Sequence, residues 1–478
     1  MLFNSIDFWM FLPAVLVIYW VIPPSARAFR NGFLLLASYA FYAYWDIRFL
    51  GLILLSTAVD YMAGRFMARE QDARRRKAAL IASIVVNLSI LGYFKYANFF
   101  LDSLVSLLQS AGIEAGIASL NIVLPIGISF YTFQSMSYTI DVFRRKTEAT
   151  TDPLVFALYV AFFPQLMAGP IERSSKLIPQ LVVAKAWDSG RFASGFRLFL
   201  LGMVKKVVVS NKLLAYAELQ YMNPELRSLE EAWAMAALRF FILLMDFSGY
   251  SDMAIGIARM LGVELSENFR GVFKAKNFRE FWQRWHITLG KWFKDYVMVP
   301  MNRSRLPKGV VILVSFTLIG LWHGASWNFV VWGLLIGIMW WAERRSGWIE
   351  PIAKLLPGRF LQERFQTVVF YGLFLWICQL FPTENIHDAW TLMRAMVGME
   401  SSQSLGAFQP FTAAMWCAIL LGASIEWVQL RWTPWRKDGT PRQKAVMAIV
   451  QSLVLIPIAM LLCFEALWVS DEFEYFLF

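Results

Sequence analysis

Histidine and cysteine are scarce, with three of each in 478 residues. The cysteines, Cys378, Cys417 and Cys463, are scattered through apolar runs with no Cys-x-x-Cys spacing and no neighbouring base. A thiol in apolar surroundings holds its proton, which argues against a cysteine nucleophile. Three widely spaced histidines without a His-Glu-x-x-His pattern offer no zinc site. Neither a Gly-x-Ser-x-Gly elbow nor a P-loop is present, so serine hydrolase and ATPase chemistry lack support. No repeat of fixed period occurs, and the two halves carry no matching pair of interrupted spans, which counts against an inverted-repeat transporter. The first apolar run, Phe8 to Ile22, lacks the basic n-region of a cleavable signal peptide and is expected to stay in the mature chain.

What is abundant is apolar surface. The chain is 58% hydrophobic with a mean hydropathy of +0.50. Apolar stretches recur from 8 to 22 through to 443 to 469 with no polar block long enough for a separate globule. This pattern predicts an all-α polytopic membrane protein, one integral membrane domain over 1–478, with roughly 11 to 13 membrane helices. Runs such as Phe33 to Trp45 fall short of the roughly 20 residues of a perpendicular span and must be extended, tilted or re-entrant. A net charge of +11 would point to nucleic acid in a soluble chain. Here the basic residues cluster in loops between apolar runs, as at Arg65 to Lys77 and Arg144-Arg145-Lys146, where they report topology. The stretches before Phe8 and around Asp46 are poor in Lys and Arg, so the N-terminus is expected outside the cytoplasm. Lys205-Lys206 reads as an interface anchor, with attraction of donor phosphates as the alternative.

Proline and glycine break the apolar pattern at Leu124-Pro125-Ile126-Gly127-Ile128-Ser129-Phe130 and from Phe163-Pro164 to Ile171-Glu172-Arg173. Clustered breaks suggest either an internal funnel or helix ends at the interface. From Asn277 to Val297, Phe278, Phe281, Trp282, Trp285, Leu289, Trp292, Phe293 and Tyr296 share one helical stripe opposite charged residues. An amphipathic helix is expected there, in the interface or on the protein, opened by a capping box of Asn277 and Glu280. His286 falls at the border of its two faces.

His323, in Leu321-Trp322-His323-Gly324-Ala325-Ser326, ends an apolar run of about 13 residues that rises roughly 20 Å, short of a hydrocarbon core of about 30 Å. A histidine at that depth is costly and marks a pathway, a partner or a reaction. Buried and neutral, it can take a proton from a hydroxyl. A hydrogen bond between helices is the competing role. Reactions that need only a buried base and two aligned substrates are few, and acyl transfer from a thioester to an alcohol leads among them.

Motifs in order along the chain carry a resemblance. They are Met1-Leu2-Phe3-Asn4-Ser5, Tyr93-Phe94-Lys95-Tyr96, Leu124 to Gln134, Phe163 to Ile171, Asp246-Phe247-Ser248-Gly249-Tyr250-Ser251-Asp252-Met253-Ala254-Ile255-Gly256, Asn268-Phe269, Phe281-Trp282-Gln283-Arg284-Trp285-His286 and Leu321-Trp322-His323-Gly324. The chain resembles the membrane-bound O-acyltransferases of the branch that acetylates bacterial exopolysaccharides such as alginate. The resemblance implies a ring of helices around a central tunnel, with His323 activating the acyl acceptor and His286 assisting it. Trp322, Asn328, Asp246, Ser248, Tyr250, Asp252, Gln134 and Trp285 are expected to line the tunnel. For Asp246 and Asp252, helix capping is an equal alternative. No permanently bound cofactor is expected, and the acyl donor would be acetyl-CoA or another acyl thioester. The implied partners are an extracytoplasmic esterase-like acetyltransferase, the polysaccharide secretion machinery and the lipid bilayer of a bacterial inner membrane, with no nucleic acid. D-alanyl transfer to cell-wall polymers and transport or flipping of acyl or glycan intermediates are the alternatives. Where relatives often carry Phe-Arg-Ala, this chain has Phe381-Pro382-Thr383, which puts an arginine's role there in doubt. His387, in the polar stretch that follows, is expected in a solvated loop.

Overall fold

The computed structural model describes residues 1–114, 119–221, 229–347, 349–383, 385–399 and 413–431. The apolar run from 443 to 469, with Cys463, lies outside the described residues, where all regular structure is helical. Three described helices are long and apolar enough to cross a membrane alone: Ile47–Arg69, Ala73–Ser110 and Leu229–Met260. The pair Ile6–Val21 and Pro24–Ala43 passes together and bends by 109° at Pro23, whose ring removes a backbone donor and stops the helix. Lys308–His323 is a shorter apolar helix of 16 residues, and Trp327–Ser346 after it runs for 20. Chain contacts define two compact units, Met1–Phe196 with Ala254–Ser266 and Arg197–Met253 with Glu267–Phe478.

In the first unit the helix Ile128–Phe143 is buried along nearly its whole length. It starts at Gly127, whose φ of +76° and Cβ position 2.7 Å from the Leu166 carbonyl admit only glycine. The break expected there is therefore a helix start. The second break becomes the short helix Phe163–Leu166 after Pro153–Ala161. Ile128–Phe143 packs on Leu50–Arg69 and Ala73–Leu91, and polar side chains tie the three together. Fully buried Asp60 accepts from Ser83 Oγ at 2.5 Å and Asn87 Nδ2 at 2.9 Å. Ser56 donates to Asn87 Oδ1 at 2.7 Å and lies 3.3 Å from Ser135 Oγ. In hydrocarbon such groups must find partners within the protein, which fixes how these helices pair.

In the second unit the helices Lys308–His323 and Trp327–Ser346 form a hairpin whose backbones touch. A Cβ on Gly320 would lie 2.0 Å from the Phe329 carbonyl oxygen, and one on Gly333 would lie 2.3 Å from that of Phe316. Small residues permit this approach, and the resulting dispersion contacts hold helices that lipid does not drive together. Gly202 and Gly249 make a second crossing, with the Cβ position of Gly202 2.4 Å from the Gly249 carbonyl. Immediately beyond Gly202, the π-helical stretch Val204–Asn211 carries Lys205 and Lys206 inward. Both are buried, which corrects the reading as interface anchors. Lys205 Nζ meets Asp252 at 2.9 Å, Glu426 at 3.1 Å and Gln429 Oε1 at 2.6 Å, and Lys206 meets Asp246 at 2.5 Å. A lysine away from water keeps its charge only against carboxylates, which explains the burial.

The segment from Asn277 is also not one continuous helix. It comprises Phe278–Phe281, Ile287–Phe293, the π-helical Lys294–Met298 and Val299–Arg303, interrupted at His286. The N-cap half of the box forms, with Asn277 Oδ1 accepting from the Glu280 amide at 2.8 Å, while the Glu280 carboxylate accepts from the Lys276 amide at 3.3 Å, one residue before the cap. The aromatic stripe packs within the protein, with Phe281 4.4 Å from Phe374 and Phe278 4.9 Å from Phe370 between ring centroids.

Candidate active site

His323 is the last residue of Lys308–His323, and Gly324 leaves the helix in an extended conformation. A Cβ at Gly324 would lie 2.1 Å from the Phe329 ring, so the chain turns there because it has no side chain to place. The imidazole is buried. It is boxed edge-on by Trp322 at 5.0 Å, Trp332 at 5.4 Å and Phe381 at 5.3 Å. A cavity of about 50 Å³ reaches it, lined mainly by aromatic side chains, among them Phe240, Phe281 and Trp285, with Arg239 and Gln379 as polar members. A lining this poor in polar groups offers little competing solvation to a charge that forms there, the condition under which fixed charges act strongly.

His286 reaches this site from a different element. Its φ of 39° and ψ of 53° place a non-glycine residue in the left-handed region, a strain of about 1–3 kcal/mol. Hydrogen bonds on either side hold the turn: Ile287 N–H to the Asn268 carbonyl and Arg270 N–H to the Arg284 carbonyl, each 2.9 Å. The Asn268 side chain completes it. Its Oδ1 accepts from the Thr288 amide at 3.2 Å and hydroxyl at 2.9 Å, and lies 3.1 Å from His286 Nδ1. The ring is 4.8 Å from Phe247 and 5.8 Å from Trp322. The two imidazoles thus adjoin one indole, that of Trp322. His323 and Trp285 line the cavity, and His286 meets the site through Trp322.

The other expected tunnel residues are dispersed. Asn328, buried at the start of the next helix, donates to the Thr383 carbonyl at 2.7 Å and so ties the hairpin to the segment bearing Phe381. Asp246, Ser248 and Asp252 surround the two buried lysines, with Ser248 Oγ 3.3 Å from Lys205 Nζ. Tyr250 is buried on the same helix. Gln134 belongs to the first unit, where its amide donates to the Tyr159 carbonyl and the Tyr159 hydroxyl donates to its own carbonyl at 2.9 Å. His387 lies in the first turn of the helix Ile386–Ala395 instead of a loop, with its side chain exposed and 3.7 Å from Asp388. Two contributors went unread in the sequence. Asn268 appeared only as part of a motif, and Arg239 carried no motif signal at all.

The described residues thus form a largely helical membrane protein with a buried histidine at a narrow aromatic cavity. Residues 43–381 match the model of MBOAT, the membrane-bound O-acyltransferase family. The chain belongs to this family and is a multi-pass membrane O-acyltransferase. It is 38% identical over 403 residues to the probable alginate O-acetylase AlgI of Pseudomonas aeruginosa, covering 83% of this chain and 75% of that protein. It is 31% identical over 431 residues to the peptidoglycan O-acetyltransferase of Helicobacter pylori, covering 84% and 80%. Identity to the teichoic acid D-alanyltransferase of Bacillus subtilis is 27% over 238 residues, covering 46% and 58%.

Proposed function

We propose that this enzyme moves an acetyl group from a cytoplasmic acyl thioester, acetyl-CoA or a comparable donor, toward an extracytoplasmic acceptor for exopolysaccharide O-acetylation. His323 is the general base. The observation that carries this reading is the burial of His323 at a narrow aromatic cavity, at the end of a helix fixed by glycine contacts, in a chain with only three histidines. A neutral imidazole there accepts the proton of the acceptor hydroxyl as its oxygen attacks the thioester carbonyl. The same imidazole returns the proton to the departing thiolate. His286, locked by Asn268 and set against Trp322, positions the indole beside the base. Trp285 lines the route to it.

The acetyl group is favoured because the long, higher-identity matches are to proteins named for O-acetylation. D-alanyl transfer is the second reading, supported by a shorter match. The enzyme acts in a bacterial inner membrane with its N-terminus outside, alongside an extracytoplasmic esterase-like acetyltransferase and the polysaccharide secretion machinery. The test is reconstitution in vesicles with a thioester labelled in its acyl group. The account predicts label in an ester on the acceptor and free thiol on the donor side. Label crossing the bilayer with its thioester intact would instead identify a transporter.

A further inference from the structure

We propose that Arg239 supplies the positive charge that stabilises the oxyanion formed during acyl transfer at His323. This rests on His323 being the base. Arg239 lies roughly three turns into Leu229–Met260, a helix long and apolar enough to cross a membrane. A guanidinium at membrane depth is costly, about 2.5–3.5 kcal/mol by insertion scales, and is retained where a partner or a reaction uses it. Arg239 is half-buried and lines the same narrow cavity as His323. Among the described lining residues it is the one side chain of the Lys, Arg, Asp or Glu type. Gln379, the other flexible hydrogen-bonding group there, has its amide donating to the Leu375 carbonyl at 2.9 Å. The remaining walls are mostly aromatic and aliphatic, so charge that develops inside the cavity meets few competing dipoles.

The chemistry needs such a charge. As the acceptor oxygen bonds to the thioester carbon, the π pair of the carbonyl moves onto its oxygen, while His323 holds the proton released by the hydroxyl. Collapse restores the carbonyl, breaks the carbon–sulfur bond and sends that pair to sulfur, which takes the proton back from the imidazolium. No oxidant or further reactant enters. Between these two events a negative oxygen sits beside a positive imidazolium, and a guanidinium donor in the same mostly apolar cavity lowers the energy of that state specifically. Arginine suits this role because it stays protonated and presents several N–H donors in a fixed plane.

The test compares the full-length detergent-purified enzyme with Arg239→Met, Arg239→Lys, Arg239→Ala and His323→Ala, measuring donor KM and kcat with an acyl thioester and a hydroxyl acceptor. Arg239→Met is expected to lose on the order of 10²- to 10³-fold in kcat with donor KM unchanged, as for loss of one oxyanion donor. Arg239→Lys is expected to recover part of the loss, and added guanidinium to restore rate to Arg239→Ala. An undiminished kcat in Arg239→Met, or a loss confined to KM, overturns the proposal while an inactive His323→Ala leaves the base intact. A fully active His323→Ala overturns both. If Arg239→Met does not fold, failure of the lysine variant and of guanidinium to support turnover in folded protein overturns it.

Discussion

Replacing Gly320 by alanine tests whether the hairpin of Lys308–His323 and Trp327–Ser346 sets the position of His323, the proposed base. A Cβ at position 320 would stand 2.0 Å from the Phe329 carbonyl oxygen and 3.1 Å from Gly333 Cα, whereas ordinary contact begins at 3.4 Å. The opposing atoms are backbone, so no rotamer change relieves the clash, and the helices must part by more than an ångström. Overpacking of this kind costs about 1–3 kcal/mol. His323 is three residues further along the same helix, nearly one turn, so the displacement reaches the imidazole. A misplacement of about 1 Å in a reacting group costs about 10²-fold in rate. Gly320→Ala is therefore expected to lower both Tm and acyl-transfer rate. Gly372→Ala, whose nearest neighbour is the Trp233 ring at 3.9 Å, is expected to leave the rate unchanged and the Tm no lower, since alanine favours a helix interior. Thermal unfolding and turnover of the purified variants measure both effects. Unchanged Tm and rate in Gly320→Ala would refute the claim that glycine contacts hold the site.

Two further substitutions probe the buried polar groups. Lys205→Met leaves Asp252 and Glu426 without their shared cation, so it is expected to destabilise by about 3–5 kcal/mol. Adding Asp252→Asn and Glu426→Gln should recover part of the lost Tm, and a single variant as stable as the parent would contradict the ion-pair account. Asn268→Ala removes the acceptor shared by Thr288 and His286, at about 1–3 kcal/mol for the donors left buried. Its turnover is expected to fall as far as that of His286→Ala. A lowered Tm with full turnover would show that Asn268 serves the fold alone.

The membrane class was legible because hydropathy is a local property summed over windows, and His323 stood out because ionisable groups in apolar runs are rare. Periodicity did less well where one residue departs from it. Extrapolating 100° per residue from Phe278 placed His286 on a helix border, yet a single left-handed residue at His286 redirects everything after it. Lys205 read as an anchor because its partners Asp252 and Glu426 lie far along the chain, and no spacing rule links residues at that separation. The contact of Asn268 with His286 and the place of Arg239 in the His323 cavity likewise come from tertiary packing. That Gly320 and Gly333 each face the other helix's backbone is also a property of the fold, with no signal in the sequence.

The central claim is that His323 is the base of an acyl transfer. Its most direct test is the rate of ester formation by purified His323→Ala and His323→Gln, compared with the parent enzyme at equal folded concentration and saturating thioester. The account predicts loss of at least the roughly 10²- to 10⁴-fold expected of a general base, with thermal unfolding little changed. Ester formation by folded His323→Ala at the parental rate would contradict it.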